Sequence, residues 1–150
     1  MEDSVEDTVN IREITLNDAE AIQNIRKAIS EDDGEVNFVK IIEQQISEGS
    51  RKSSLVAEIN GAVVGYMISA TLYAGFGIKK SAWIMAIGVH PDYMGQGIGL
   101  KLARKICEVY KDKGIKNIYS SVLWDSTDVL SFFKKLGFER SEFINLKKKL

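Results

Sequence analysis

The chain has 150 residues, which is enough for one domain, and 45% hydrophobic with 27% charged residues is typical of a globular protein. A formal net charge of -1 at pH 7 provides no overall positive field, so nucleic acid is excluded as an expected partner. The single cysteine and single histidine exclude an internal disulfide and a multi-thiolate metal site, and no metal is expected.

The amino-terminal stretch bears on domain limits and location. Residues 1–8 are polar and acidic and are expected to be disordered, which leaves residues 9–150 as one domain. This stretch has no apolar core of the kind found in secretory signals, and no apolar run in the chain approaches the length of a membrane span. The sequence therefore predicts a cytoplasmic protein that makes no membrane contact.

The first half of the chain changes from helical to strand periodicity. Alternating apolar and polar side chains predict a strand over residues 9–14, and apolar residues at helical spacing predict helices over 15–30 and 36–47. The pair Asn60-Gly61 predicts a tight hairpin turn, which joins strands expected over residues 54–59 and 62–72.

The second half alternates strands and helices. A nearly continuous apolar run predicts a strand over residues 83–89 that is buried on both faces. A helix over 97–113, a strand over 115–123, a short helix over 127–136 and a last strand over 140–146 complete the order. This order predicts a single-domain α/β fold, in which a mixed central sheet carries helices on both faces.

Three alternating glycines open the predicted helix that follows the buried strand. Gly95, Gly97 and Gly99 come soon after Val89, where that strand ends. Free N–H groups at a helix start attract anions, and glycine lets the backbone approach a phosphate closely. A P-loop would need a Gly-Lys pair, and a dinucleotide fingerprint would need glycine where Leu100 stands. The stretch therefore predicts a site for a phosphate-bearing ligand.

In these features the chain resembles the GNAT superfamily of N-acetyltransferases. In that family a strand, a Val-x-Pro step and an Arg/Gln-x-x-Gly-x-Gly/Ala loop hold the coenzyme A pyrophosphate. The order of elements matches over nearly the whole chain, and Phe-Lys-Lys-Leu-Gly-Phe at residues 133–138 resembles the family's Tyr-x-x-x-Gly-Phe. The resemblance implies a GNAT fold that uses acetyl-CoA as co-substrate, with a small-molecule amine or a peptide N-terminus as acceptor.

The resemblance also implies which residues bind acetyl-CoA. Strand residues would offer backbone groups to the pantetheine arm, as an added strand does, and loop amides would hold the pyrophosphate. Basic side chains on two helices are candidates for further phosphate contacts. The implied residues are Ile87 and Val89 on the strand, Met94, Gly95, Gln96, Gly97, Ile98 and Gly99 in the loop, and Lys134, with Lys101 and Arg104 as alternatives.

Three positions depart from the family pattern. Met94 replaces the loop's leading Arg/Gln, Ser126 stands where an asparagine is common, and Phe133 replaces a tyrosine credited with protonating the leaving thiolate. Ser126 as a positioning group and Tyr73 as a proton donor are the catalytic candidates. Other candidates for the proton transfers are a water held by strand carbonyls, Glu35 and Asp125.

Several alternatives stay open. The chain could retain acetyl-CoA as a catalytically weak sensing module, or could use the same loop for a different nucleotide, and a homodimer is compatible with either. His90 is expected to lie outside the chemistry, and Cys107 is expected in the core rather than as a nucleophile. Aromatic residues near the end of the chain are expected in the core or in the wall of an acyl pocket, namely Trp124, Phe132 and Phe133.

Overall fold

The computed structural model describes residues 8–30, 36–49, 51–74 and 79–150, and in them the predicted α/β fold is confirmed. These residues form one five-stranded mixed sheet and four α-helices. The strands lie in chain order across the sheet; the first four are antiparallel neighbours, and the fifth is parallel to the fourth. The strands are β1 (Asn10–Glu13), β2 (Leu55–Ile59), β3 (Ala62–Ala74), β4 (Lys79–Val89) and β5 (Ile118–Ser120), and the helices are α1 (Ala19–Ile29), α2 (Phe38–Ser47), α3 (Ile98–Asp112) and α4 (Thr127–Lys135).

Helices cover both faces of the sheet, as the sequence predicts. On one face α1 and α2 pack through Ile22, Ile25 and Ile42 against Ile68 of β3. On the other face α3 and α4 pack against buried residues of all the long strands. That second cluster includes Leu55, Met67, Ile84, Leu102, Ile106 and Phe133. Burial of about 1.5–3 kcal/mol per large apolar side chain makes these two clusters the main stabilising feature of the fold.

The hairpin between β2 and β3 has the turn that its sequence predicts. Asn60 and Gly61 both have positive φ values, 52° and 82°, as a type I′ turn requires. In the described part of the chain, Asn60 is the one residue other than glycine with positive φ. Asparagine tolerates this conformation better than most residues. The turn therefore fixes where the two strands begin to pair.

A β-bulge in β4 changes which face its side chains occupy. Ile68 pairs with Ala86 but the next residue, Ser69, pairs with Ile84, so Met85 is the extra residue. In a regular strand, residues three apart point to opposite faces. Because of the bulge, Ile84 and Ile87 both pack in the cluster beneath α3 and α4. The bulge thus sets the orientation of the strand end that leads to the glycine loop.

A cluster of charges fastens the start of α1 to the edge of the sheet. The Arg12 guanidinium donates to both oxygens of Asp18, at 2.9 and 2.8 Å, and forms an ion pair with Glu58 at 3.0 Å. Burial acts to raise the pKa of Asp18, but the hydrogen bonds from Arg12 and from Thr15 outweigh it and hold that pKa below its ordinary value. The buried carboxylate is therefore paired, as a charge in such a place must be.

The prediction of a last strand over residues 140–146 is wrong. This stretch forms no ladder with the described strands. It is held beside β5 by side chains, since the Tyr119 hydroxyl donates to Glu142 at 3.0 Å and the Asn145 amide donates to Ser121 at 2.8 Å. The physical reason is local, because the Ser141 hydroxyl accepts from the Phe143 amide at 3.1 Å and donates to the Phe143 carbonyl at 3.3 Å, so that backbone groups of this stretch already have partners.

Some expectations fall where the structure is not described. Most of the amino-terminal stretch, Glu35, and the segment containing Gly75 and Gly77 lie outside the described residues. In the part of the chain that is described, no helix combines the length and apolar character needed to cross a bilayer.

Candidate functional site

The candidate site lies where β4 and β5 diverge. The two strands pair in parallel from Ala82 to Ile84, opposite Ile118 to Ser120. Beyond Ile84, the described strands pair with β4 only on its β3 side, and this pairing continues to Val89 opposite Gly65. One edge of β4 therefore has no strand partner among the described residues from the bulge to the glycine loop.

A serine that the sequence pattern did not single out lies where the pairing of β4 and β5 ends. The Ser120 hydroxyl donates to the backbone carbonyl of Ile84 at 3.1 Å, at the last rung that the two strands share. A hydroxyl residue within the predicted strand over residues 115–123 was the available signal. The hydrogen bond fixes the point at which the pairing of β4 with β5 ends.

The segment after β4 is a compact loop that leads into α3. The His90 amide donates to the Val64 carbonyl at 2.8 Å, and the His90 ring nitrogen Nδ1 accepts from the Asp92 amide at 3.1 Å. A 3-10 turn, Pro91–Tyr93, follows. These bonds give His90 a role in shaping the loop.

Two of the three glycines have a conformation that other residues rarely adopt. Gly95 and Gly97 have φ values of 81° and 77°, and a Cβ built on either would meet no heavy atom within 4 Å. The space beside the backbone is therefore open, as a cradle for a phosphate requires. Gly97 is the N-cap of α3, which is a helix of 15 residues.

The first turn of α3 leaves amide groups free for an anion. The first intrahelical bond is donated by the Lys101 amide to the Gly97 carbonyl, at 3.0 Å. The preceding helical amides of Ile98, Gly99 and Leu100 consequently have no acceptor within the helix. Together with the positive end of the helix dipole they can bind a phosphate group.

Gly99 differs from the other two glycines. It has no positive φ, and a Cβ on it would lie 3.0 Å from Cε1 of Phe132 and 3.8 Å from Cδ1 of Ile87. Its lack of a side chain therefore lets α4 approach the start of α3. Phe132, which was expected in the core or the acyl-pocket wall, is the residue that fills this space.

The remaining implied ligand residues are exposed in the glycine loop, on α3 and on α4. Met94 and Gln96 are exposed in the loop, as are Lys101 and Arg104 on α3. Lys134 is exposed in the last turn of α4. Because the side chains of these cations are exposed, they can rotate towards a phosphate. The glycine loop, in contrast, already has the backbone conformation that a phosphate site needs.

The two catalytic candidates are placed differently. Ser126 is the N-cap of α4, is half-buried, and uses no side-chain oxygen for capping. Tyr73 is 71% exposed and pairs with Lys80 towards the far end of β3, whereas the divergence begins at the rung of Ser69 and Ile84. Among the described residues, no hydrogen bond joins Ser126 to Tyr73.

The aromatic residues near α4 have separate surroundings. Phe133 is 5% exposed, and its ring centroid lies 4.9 Å from that of Phe138. The expectation that Trp124 lies in the core is wrong, because it is 82% exposed and sits 5.8 Å from the Arg140 guanidinium. Trp124 lies between the end of β5 and the start of α4, in the segment where the chain has left the sheet. Cys107 is half-buried, and burial raises the pKa of its thiol, which disfavours a nucleophilic thiolate.

Residues 19–138 match the Acetyltransferase (GNAT) family, which covers most of the chain. The chain therefore belongs to the GNAT acetyltransferase family, as the glycine loop and the strand order indicate.

Solved structures with the same fold include acetyltransferases with different acceptors. An aminoglycoside acetyltransferase from an uncultured soil metagenomic sample, in complex with trehalose, is 18% identical with a TM-score of 0.77, and 98% of this chain and 99% of that chain are covered. The ribosomal-protein-alanine N-acetyltransferase of Brucella melitensis biovar Abortus 2308 is 16% identical with a TM-score of 0.72, and 95% of this chain and 99% of that chain are covered. AAC(6')-Iy in complex with the bisubstrate analogue CoA-S-monomethyl-acetylneamine is 17% identical with a TM-score of 0.72, and 95% of this chain and 99% of that chain are covered. At these identities the likeness concerns the fold.

Proposed function

We propose that the protein is an N-acetyltransferase that transfers the acetyl group of acetyl-CoA to a primary amine by direct attack. The observation that carries this proposal is the open glycine cradle at the start of α3, directly after a strand with a free edge. The cradle suits the pyrophosphate, and the free edge of β4 suits the amide groups of the pantetheine arm. Ile87 and Val89 would supply backbone groups to that arm, and Lys134 a charge to a phosphate.

The reaction would depend on positioning more than on a covalent intermediate. The amine, after losing its proton, attacks the thioester carbonyl; a C–N bond forms, the C–S bond breaks, and the electron pair passes to sulfur, which then takes up a proton. Holding both substrates in one cleft supplies much of the rate enhancement, and backbone N–H groups on the edge of β4 are suited to polarise the carbonyl. The free hydroxyl of Ser126 makes it a better positioning candidate than the distant Tyr73.

The acceptor is proposed to be a small-molecule amine or a peptide N-terminus. Both kinds of acceptor are proposed because the solved structures with this fold include an aminoglycoside acetyltransferase and a ribosomal-protein-alanine N-acetyltransferase. The proposal of an enzyme also has a rival in a GNAT domain that binds acetyl-CoA without turning it over, since Phe133 cannot donate a proton.

We expect coenzyme A to stabilise the fold. A ligand present at 100 times its dissociation constant adds about 2.7 kcal/mol, which for a domain of this size raises Tm by roughly 5–10 °C. The measurement is thermal unfolding with and without coenzyme A, followed by thiol release from acetyl-CoA with a panel of aminoglycosides and alanine-terminated peptides.

The same panel separates the rival functions. Stabilisation by coenzyme A without thiol release from any amine would support a binding module. A rise in Tm with ATP and none with coenzyme A would contradict the acetyl-CoA assignment and favour another phosphate ligand. Stabilisation together with amine-dependent thiol release is the result that the proposal requires.

A second prediction concerns Phe133, which occupies the position of the family's tyrosine. Because this ring is buried against Phe138, we expect the added hydroxyl in Phe133→Tyr to be unpaired and to lower the free energy of unfolding by about 1–3 kcal/mol. Turnover should change little. Faster turnover at unchanged stability would instead place the new hydroxyl beside the thioester sulfur, where an acid contributes up to about 10²–10⁴-fold.

A further inference from the structure

Three aromatic rings lie side by side next to the point where the pairing of β4 and β5 ends. The Trp83 and Tyr119 rings are stacked, with 5.1 Å between their centroids and 26° between their planes, and the Phe143 ring meets Tyr119 edge-on at 5.7 Å. Trp83 and Tyr119 form the rung directly before the last one, which joins Ile84 to Ser120. The three rings are called here the aromatic surface.

The aromatic surface lies on the face of the sheet opposite to α3 and α4. Ala82 and Ile84 are buried in the cluster beneath those two helices. Because successive side chains of a strand point to opposite faces, Trp83 points to the other face. Phe143 is 42% exposed and Met85, the extra residue of the bulge, is 58% exposed, while the other two rings are half-buried. A ligand can therefore contact the rings from solvent.

The fold alone gives no reason for an indole at position 83. The Nε1 atom of Trp83 is buried and has no hydrogen-bond acceptor in the described part of the chain. A buried N–H without an acceptor lowers stability, so that a phenylalanine would suit the fold better at this position. The indole does, however, provide the largest aromatic face, which attracts both apolar groups and cations. This property points to a ligand.

A carboxylate lies at the edge of the aromatic surface. The Tyr119 hydroxyl donates to Glu142 at 3.0 Å. Partial burial, and after it the hydrogen bond and charge of Glu142, raises the pKa of Tyr119, so the hydroxyl stays protonated and the negative charge remains on Glu142. An ammonium group is attracted both by this carboxylate and by the faces of the rings. The surface therefore favours an organic cation over an anion.

The aromatic surface also lies next to the place that the proposed function gives to the thioester. If the pyrophosphate binds at the glycine loop and the pantetheine arm follows β4 past Val89 and Ile87, the thioester comes towards the rung of Ile84 and Ser120. Trp83 is the residue before Ile84 in the strand, and a strand rises about 3.3 Å per residue. An amine at the thioester would thus have the rest of its molecule beside the rings.

We infer that the aromatic surface binds the acceptor, and that the acceptor is a small primary amine carrying an aromatic group, an arylalkylamine. The inference rests on the proposed function, which supplies the reacting amine. The aromatic group of the ligand contacts the rings of Trp83 and Phe143, and the amino group lies towards the thioester. An acceptor composed mainly of hydroxyl and ammonium groups would leave these apolar contacts unused.

The first test is binding, which does not depend on turnover. Isothermal titration, with and without saturating coenzyme A, compares 2-phenylethylamine with ethylamine, which has the same aminoethyl group and no ring. We expect 2-phenylethylamine to bind about tenfold to a hundredfold more tightly, because it buries an aromatic group of the size of a phenylalanine side chain. Equal affinities for the two amines would overturn the inference.

Substitutions of the two tryptophans locate the binding site. Trp83→Ala should weaken the binding of 2-phenylethylamine at least about tenfold and leave the affinity for coenzyme A unchanged. Trp83→Phe keeps a ring and removes the unpaired N–H, so it should retain the wild-type Tm while binding the amine about twofold to fivefold more weakly. Trp124→Ala, which changes an 82% exposed ring beside Arg140, is the matched control and should bind as the wild type does.

The Trp83→Phe variant also decides the case in which Trp83→Ala does not fold. Unchanged affinity for 2-phenylethylamine in a folded Trp83→Ala protein, or in Trp83→Phe if the alanine variant is unfolded, would place the amine elsewhere and overturn the inference.

Turnover separates this inference from the proposed function. The kcat/KM for thiol release from acetyl-CoA should be higher with 2-phenylethylamine than with ethylamine, kanamycin or an alanine-terminated peptide, and Trp83→Ala should remove this preference mainly by raising KM. Binding of 2-phenylethylamine without thiol release would support the aromatic surface and contradict the transferase. Thiol release with kanamycin or the peptide, and no preference for 2-phenylethylamine, would support the transferase and overturn the inference.

Discussion

Gly97→Val is expected to lower the affinity for coenzyme A by about tenfold to a hundredfold. Gly97 starts α3 with a φ of 77°, and the space beside it is open. A valine side chain would occupy this space and push a phosphate away from the helix amides. Charge-assisted hydrogen bonds contribute about 1.5–3 kcal/mol each, and 1.4 kcal/mol corresponds to a factor of ten in affinity. Isothermal titration with coenzyme A measures the change.

The control for this substitution is at the other end of the same helix. Gly114 follows α3 with a φ of 78°, and its missing Cβ also meets nothing within 4 Å. Gly114→Val therefore introduces the same backbone strain, and it should lower Tm to a similar extent while leaving coenzyme A affinity unchanged. If Gly97→Val binds coenzyme A as tightly as Gly114→Val does, the phosphate site lies elsewhere.

Gly88→Ala should reduce the free energy of unfolding by about 1–3 kcal/mol or more, as forced overpacking in a core does. Gly88 lies in β4, and a Cβ there would be 2.6 Å from Cε1 and 2.9 Å from Cζ of Tyr66. Tyr66 is buried and its ring packs edge-on against Phe38, so it has little room to yield. Chemical denaturation of the variant measures the loss.

Two further variants show whether contact with Tyr66 is the cause. Gly65 lies in the neighbouring strand β3, and Gly65→Ala places a Cβ 3.1 Å from Cγ2 of Ile98. Because this contact is less severe, the variant should be less destabilising. Tyr66→Leu removes the obstructing ring, so its effect and that of Gly88→Ala should be less than additive in the double variant. Strict additivity would show that the ring is not what Gly88 accommodates.

Much of the fold and the main feature of the site could be predicted because local chemistry determines them. Asn60-Gly61 suits a type I′ turn almost regardless of surroundings, and alternating glycines after a buried strand indicate a phosphate loop through backbone geometry alone. The helices of the two faces were predictable from the spacing of their apolar residues, since that spacing reflects which side of each helix is buried.

Other features depend on contacts between distant residues and left no local signal. The bulge at Met85 lies within a continuous apolar run, where a shift of side-chain phase cannot be seen. Gly99 belongs to the glycine pattern, yet its missing side chain accommodates Phe132 of another helix. The alternating residues 140–146 have the composition of a strand, but side-chain contacts with Tyr119 and Ser121 hold them in place of a ladder.

The parallel pairing of β5 with β4 has a consequence for how readily this edge of the sheet opens to solvent. The antiparallel neighbours β2, β3 and β4 are consecutive in the chain, whereas β4 and β5 can meet only after all of α3 has been placed between them. Contacts between residues far apart in sequence form late, and this contact is only three rungs long. The amides of Ile118, Tyr119 and Ser120 should therefore exchange with solvent sooner than those of β3, and a ligand that spans the divergence would slow their exchange most.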